Sequence, residues 1–298
     1  MVTDTIDPNQ FLGLPCAAPE NVDAVIVPIP LEKTVSYGTG TSRGPRAILD
    51  ASCQIETFDE ETLVDFAERP KLHTLPLVLC EGELPECFEP IRAAVAPRKE
   101  RFVLGLGGEH SVTYGILDGL REELDGLWIV HIDAHADLID RLDGRRWSHG
   151  TVMRRLHERG CRLIQIGIRS LSREEYDYIA GQPTIETFFA HQLPERWAEL
   201  GARLDALAGD VYLSIDLDGL DPAVIPSTGT PQPDGLSWRQ MIEVIRRVTS
   251  NRACRLIGAD VVELIASPHP PGCDLAAAKV AAKVLAFWWR GLRGDSTG

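Results

Sequence analysis

At 298 residues, with 44% hydrophobic and 25% charged side chains and no biased stretch, the chain has ample length and apolar content for a packed core. Its formal net charge of −14, without any Lys- or Arg-rich stripe, argues against nucleic acid as a partner; an acidic field raises the local concentration of small cations, although an acidic surface commonly serves solubility alone. No apolar run approaches the roughly 18 residues that cross a bilayer, the opening MVTDTIDPNQ lacks a charged and then apolar leader, and seven scattered cysteines without a Cys-x-x-Cys pair fit reduced thiols, so a cytoplasmic protein with no membrane association is expected.

From the N-terminus, a first strand is predicted over 24–29 (AVIVPI), followed by a helix in RGPRAILDAS. A second strand is predicted over 75–79 (LPLVL) and a third over 102–106 (FVLGL), the latter leading into the helix SVTYGILDGLREEL. Strands over 127–133 (LWIVHID), 162–168 (RLIQIGI) and 184–189 (TIETFF) come next, with a helix in SHGTVMRRLHERG between the first two. The last strands fall over 211–216 (VYLSID) and 255–262 (RLIGADVV), separated by the helix LSWRQMIEVIRRVT, and the Ala-rich helix CDLAAAKVAAKVLAFWWRGL follows. Strands that alternate with helices mark a parallel sheet covered by helices, and continuous apolar runs suit strands buried on both faces. No composition break or Gly/Ser linker divides the chain, so one three-layer domain over residues 1–298 is predicted.

Three strand ends carry unusual polar residues. The run His131-Ile132-Asp133-Ala134-His135-Ala136-Asp137 follows an apolar strand, and residues two apart on extended backbone share a face, so Asp133, His135 and Asp137 are expected to project together. A single Asp there would read as a turn residue or helix cap, whereas three metal-ligating side chains at alternate positions read as a site. His131 shares their parity but lies deeper in the apolar run, and reads as a packed histidine supporting the ligands.

In Ser214-Ile215-Asp216-Leu217-Asp218-Gly219-Leu220-Asp221-Pro222, carboxylates again stand two apart at a strand end, where they repel unless a cation lies between them. Asp221, before Pro222, reads as a turn residue. In Gly107-Gly108-Glu109-His110 the glycines let the backbone bend and bring His110 to the same rim. A lone histidine after a glycine pair is commonly structural, and its convergence with two acidic strand ends is what makes it a ligand candidate. Four Asp and two His exceed what one tetrahedral zinc takes, so two octahedral-leaning ions fit, manganese first, then zinc, cobalt or nickel.

On these motifs the chain resembles the ureohydrolases, which include arginase, agmatinase, guanidinobutyrase and formimidoylglutamase, and it looks most like agmatinase. The likeness runs from SYGTGTSRGPRAILDAS (36–52) through GGEHS, DAHAD, SHGT and SIDLDGLDP to ADVVEL and the last helix. It implies a mostly parallel eight-stranded sheet in a three-layer α/β/α sandwich of the arginase/deacetylase type, and two Mn²⁺ per subunit. One ion would be held by His110, Asp133, Asp137 and Asp216 and the other by Asp133, His135, Asp216 and Asp218, so that Asp133 and Asp216 bridge, with a hydroxide kept between the ions. It further implies catalytic roles for His149, in Ser148-His149-Gly150, and for Glu263, in Asp260-Val261-Val262-Glu263, and a homo-oligomer, trimer or hexamer.

The expected reaction is hydrolysis of a small cationic guanidino compound to urea and an amine. Glu263 would accept a forked pair of N–H bonds from the guanidinium, Asp137 would pass a proton to the departing amine, and His149 would exchange protons with solvent, since imidazoles titrate near neutral pH. Residues 138–147 (LIDRLDGRRW) lack the Asn and small hydroxyl residues that arginases place after this motif, so agmatine, cut to putrescine and urea, is the expected substrate. Asp140 or Asp143 is the candidate contact for its distal ammonium. Guanidinobutyrate, aminopropylagmatine and arginine are the alternatives, because small loop changes alter substrate without touching the metals. A metallophosphoesterase needs a Gly-Asn-His-Glu/Asp segment and a basic phosphate loop, and neither is present. A deacetylase relative with one zinc needs only an Asp-His-Asp set, and a catalytically silent binding oligomer needs none of these residues complete.

Overall fold

Eight parallel strands form one sheet in the computed structural model, which describes residues 7–18, 21–266 and 272–293. In chain order the strands are β1 (Ala24–Ile29), β2 (Phe58–Asp59), β3 (Val64–Asp65), β4 (Leu72–Thr74), β5 (Phe102–Gly107), β6 (Trp128–Ile132), β7 (Arg162–Ile168), β8 (Ile185–Phe189), β9 (Gly209–Asp216) and β10 (Cys254–Val262). The short strands β2 and β3 make a separate antiparallel hairpin. The others lie in the order β4-β1-β5-β10-β9-β6-β7-β8. The helices are α1 (Gly44–Ser52), α2 (Leu84–Val95), α3 (Val112–Leu120), α4 (Val152–Glu158), α5 (Arg173–Ala180), α6 (Leu193–Asp205), α7 (Trp238–Ser250) and α8 (Gly272–Arg293).

The continuous apolar strands feed two cores, one on each face of the sheet, because successive side chains point to opposite sides. Along β1, Ala24 and Ile26 pack into one core while Val25, Val27 and Ile29 pack into the other. Residues of α1, α6, α7 and α8 fill the first, and residues of α2, α3 and α4 fill the second. The result is the α/β/α layering expected from the sequence.

Seven of the eight predicted strands form within a residue or two of their expected bounds. The exception is the strand predicted over 75–79: the edge strand is instead β4, three residues earlier, paired with β1 from Leu72 against Ala24 to Thr74 against Ile26. Pro76 has no N–H for a ladder, so beyond Thr74 only Leu75 and Val78 donate to β1, at the carbonyls of Ile26 and Pro28. The side chain of Gln10 holds Thr74 in place by accepting its N–H at 2.9 Å. The hairpin β2–β3 was not anticipated, since neither strand is long enough to show a period.

That hairpin is fastened to α8 by a buried charge. Lys283, at 1% side-chain exposure, places Nζ 2.7 Å from Asp59, with Glu60 at 3.2 Å and Glu61 at 3.3 Å. Burial opposes ionisation of both partners, yet the pairing outweighs it, holding Asp59 below and Lys283 above their ordinary pKa values. Asp59 therefore contributes stability above its unfolded pKa of about 4, lost as pH falls through the lower folded value. Lys283→Ala leaves Asp59 buried and uncompensated, and is expected to destabilise the fold by about 3 kcal/mol, read as a fall in the denaturant midpoint at neutral pH. An unchanged midpoint would show that the clamp contributes nothing.

Candidate metal centre

Four adjacent strands, β5, β10, β9 and β6, bring their C-terminal ends to one rim. β5 and β6 are consecutive in the chain but separated in the sheet by β10 and β9, and such a reversal of strand order leaves a crevice at the strand tips. β5 delivers Glu109 and His110, β6 delivers Asp133 to Asp137, β9 delivers Asp216 and Asp218, and β10 delivers Glu263. Together with Val35, Ser36, Tyr37, Gly38, His149, Gly229 and Thr230, most of these line one pocket.

The predicted ligands converge. His110 Nδ1 lies 3.1 Å from Asp133 Oδ2, 3.1 Å from Asp137 Oδ2 and 3.3 Å from Asp216 Oδ2. His135 Nδ1 lies 3.1 Å from Asp218 Oδ2 and 3.5 Å from Asp133 Oδ1. Two donor sets thus meet at Asp133, whose Oδ2 faces His110 and whose Oδ1 faces His135.

Convergence does not arise by strand alternation, as expected, because β6 ends at Ile132. Asp137 has a φ of 55°, a left-handed conformation unusual for a residue with a side chain, and Asp218 sits in a 3-10 turn over Leu217–Gly219. Asp133 Oδ1 accepts the N–H of His135 at 2.6 Å, and Asp216 Oδ1 accepts that of Asp218 at 2.8 Å, so each leading carboxylate shapes the turn that carries the next ligand. The Gly107-Gly108 pair also acts differently from expectation: neither residue has a positive φ, and a Cβ on Gly108 would lie 2.1 Å from the carbonyl oxygen of Leu31. Close approach of two backbones, rather than a sharp bend, requires glycine there.

Hydrogen-bond bookkeeping tests whether a cation fits. A serine hydroxyl has one proton; that of Ser214 goes to Asp260 Oδ1 at 2.8 Å, so Ser214 must accept from His110 Nε2, also at 2.8 Å. Asp260 is itself fixed by Thr113 at 2.7 Å and Tyr212 at 2.8 Å. His110 Nδ1 is thereby left without a hydrogen-bond partner, its lone pair aimed at three carboxylates. Such an arrangement is repulsive unless a positive charge sits among them. Burial opposes charge on His110 and His135, yet the carboxylates outweigh it, raising His110 well above its ordinary value and His135 to about 12. Burial, and then the charges of Asp218 and Asp133, raises Asp216. Oxygen-rich, anionic and dry, this His/Asp cluster suits a divalent metal.

His131 serves the cluster without needing to join it. Gln165 Nε2 donates to the carbonyl of Ala136 at 2.7 Å, which fixes the amide orientation, and its second proton faces His131 Nδ1 at 3.1 Å. Nδ1 therefore accepts, and His131 Nε2–H donates to Asp133 Oδ2 at 2.8 Å.

Glu263 follows β10 on the same rim with a φ of 67°, a strained conformation of the sort that clusters at functional sites. Its N–H donates to the carbonyl of Gly108 at 2.8 Å, and its Oε1 accepts the N–H of His110 at 2.7 Å. Burial first, then the charge of Glu109, raises its carboxyl well above the ordinary range. Arg169 donates to the carbonyls of Asp218, Leu220 and Gln232, tying down the loop that follows β9. Asp221 is the expected turn residue, accepting from Ala223 and Gly235.

Asp140 and Asp143, the candidates for the distal end of a substrate, are not brought to the pocket. Asp140 is paired with Arg155 at 2.7 Å, and that hydrogen bond lowers its pKa. Asp143 takes a positive φ in the tight turn between Leu142 and Arg145. The sequence reading missed Thr34, Tyr37, Gly229 and Thr230, which carry no metal-ligand signature.

Comparison with known proteins agrees with this site. The model of the arginase family matches residues 22–286. An N(1)-aminopropylagmatine ureohydrolase of Synechocystis sp. is 33% identical, covering 95% of each chain, and an agmatinase of Pyrococcus horikoshii is 30% identical, covering 92% of this chain and 95% of its own. Among solved structures, the agmatine ureohydrolase of Thermoplasma volcanium superposes with a TM-score of 0.83 at 25% identity, over 98% of this chain and 97% of that one. The proclavaminate amidino hydrolase of Streptomyces clavuligerus does so with a TM-score of 0.85 at 26% identity, over 97% and 99%. With the matched model spanning most of its length and the His/Asp cluster in place, the chain belongs to the arginase family, the metal-dependent ureohydrolases.

Proposed function

We propose that this ureohydrolase cleaves agmatine to putrescine and urea with two Mn²⁺ per subunit. The observation that carries the metal part is the buried His110 Nδ1, without a hydrogen-bond partner among three carboxylates, with a second His/Asp set sharing Asp133 beside it. In this reading His110, Asp133, Asp137 and Asp216 would hold one ion, and Asp133, His135, Asp216 and Asp218 would hold the other. When bound, such a pair supplies hydroxide at neutral pH by lowering the pKa of water.

The protein's own groups do the rest. Glu263 accepts two guanidinium N–H bonds and aims the carbon into the pocket, its raised carboxyl pKa relieved by the incoming cation. Asp137 takes the proton released on attack and passes it to the departing nitrogen. His149, half-buried at the pocket edge, exchanges protons between the site and solvent as the next water is deprotonated. Since Asp140 is paired with Arg155, the distal ammonium is left to groups at the pocket mouth, where Tyr37 is 86% exposed.

N(1)-aminopropylagmatine is the second reading. It is favoured by the relatives of that name from Synechocystis sp. and Thermus thermophilus, at 33% and 34% identity against 30% and 32% for two named agmatinase, while a third of that name, from Thermococcus kodakarensis, is 28% identical. The same family reading includes a trimer or hexamer, and seven free cysteines fit a reducing cytoplasm.

Protein loaded with Mn²⁺ is expected to release urea from agmatine or N(1)-aminopropylagmatine faster than from arginine or guanidinobutyrate; silence across all four would favour a binding role. Metal analysis should find Asp133→Ala and Asp216→Ala poorer in metal than Asp218→Ala, since bridging ligands touch both ions, and equal contents would count against bridging. Glu263→Gln should keep its metal and lose turnover on the order of 10²-fold, whereas full activity would remove Glu263 from the mechanism.

A further inference from the structure

A second acid–hydroxyl–imidazole chain runs outside the metal cluster. Glu109 is fully buried, and its carboxylate points away from the ligands toward the loop after β1. Oε2 accepts the N–H groups of Lys33 at 2.5 Å and Thr34 at 2.7 Å, and Oε1 accepts the hydroxyls of Thr34 at 2.9 Å and Ser111 at 2.6 Å. Thr34 Oγ1 in turn lies 3.1 Å from the backbone N–H of His149 and 3.2 Å from His149 Nδ1. His149 Nε2 lies 3.1 Å from Ser36 Oγ.

The valence of one oxygen decides how these bonds run. A threonine hydroxyl offers one proton and two lone pairs. The proton of Thr34 is given to Glu109, and one lone pair takes the backbone N–H of His149. Only an acceptor remains for His149 Nδ1, so that nitrogen must carry a hydrogen and donate it. The neutral ring then has its lone pair on Nε2, on the side of Ser36 and the pocket.

We infer that Thr34, held by Glu109, is a positioning residue that fixes His149 as the Nδ1–H tautomer, leaving Nε2 as the atom that gains and loses the proton. This rests on the shuttle role of His149 proposed above. An imidazole free to choose would present the wrong nitrogen part of the time, and a tautomer set by its other hydrogen bond removes that loss. Glu109 also anchors the segment carrying Ser36, so ring orientation and pocket wall are set by the same carboxylate.

The test separates tautomer from activity. Metal-free protein with ¹⁵N-labelled histidine is studied by NMR at alkaline pH, with His149→Asn assigning the His149 signals, in wild type, Thr34→Val and Thr34→Ser. Wild type and Thr34→Ser should show hydrogen on Nδ1, and Thr34→Val should shift toward hydrogen on Nε2. In the Mn²⁺-loaded enzyme, Thr34→Val should lower kcat by about 10- to 100-fold with KM little changed, and Thr34→Ser should restore it. Hydrogen on Nε2 in the wild type overturns the inference, and this holds even if Thr34→Val fails to fold. An unchanged tautomer in Thr34→Val, or full kcat once the tautomer is lost, overturns it as well. Full activity in His149→Asn would instead bring down the shuttle role and leave the tautomer assignment standing.

Discussion

Carboxylates buried side by side repel, and the rim of this sheet gathers Asp133, Asp137, Asp216 and Asp218 within reach of two imidazoles and almost no solvent. Desolvation makes that repulsion stronger than it would be at a surface. Much of the surrounding structure holds the acids in place against it. Backbone N–H groups of Ala134, His135 and Asp218 are donated to neighbouring carboxylates, and the guanidinium of Arg169 binds the loop carbonyls behind them. None of these neutralises the cluster, because amide dipoles carry no net charge and Arg169 is directed at carbonyls. The need for a mobile counter-charge is built into the fold.

Each of three histidines around this rim has one nitrogen committed to a fixed partner. His131 is set by Gln165, His110 by Ser214 and Asp260, and His149 by Thr34 and Glu109. In the last two a hydroxyl stands between acid and ring. The spacer transmits direction, because its single proton can go only one way, while holding the carboxylate one group further off. His110, among the candidate ligands, and His149, the proposed shuttle, therefore share a construction.

The sheet and the ligand set were legible because both follow from local pattern. Long buried strands show as continuous apolar runs, and ligands at consecutive or alternate positions show as DAHAD and DLD. What escaped was non-local. The edge strand β4 reads weakly as Leu-His-Thr beside the richer LPLVL, and is selected by pairing with β1 and by Gln10, 64 residues away. Thr34 and Glu109 stand 75 residues apart and are joined only when β1 and β5 pair. The acids of the 138–147 loop suggested a cation subsite, but a nearby arginine from α4 satisfies Asp140 instead. Turn geometry escaped too: Asp137 and Glu263 both take a positive φ, which Asp visits more readily than most residues but Glu does not, and neither position signals it in the sequence.

The position of β10 carries a consequence for how the molecule comes together. It is the last strand in the chain, yet it lies in the middle of the sheet, with β5 on one side and β9 on the other. Until residue 262 has been made, β4-β1-β5 and β9-β6-β7-β8 are two separate ribbons, each with an open edge. A growing chain therefore carries His110 on one half and Asp133, Asp137, Asp216 and Asp218 together on the other, and β10 closes the seam between them. The cluster is thus completed only at the final step of assembly, when the closed seam brings His110 and Glu263 to the four aspartates.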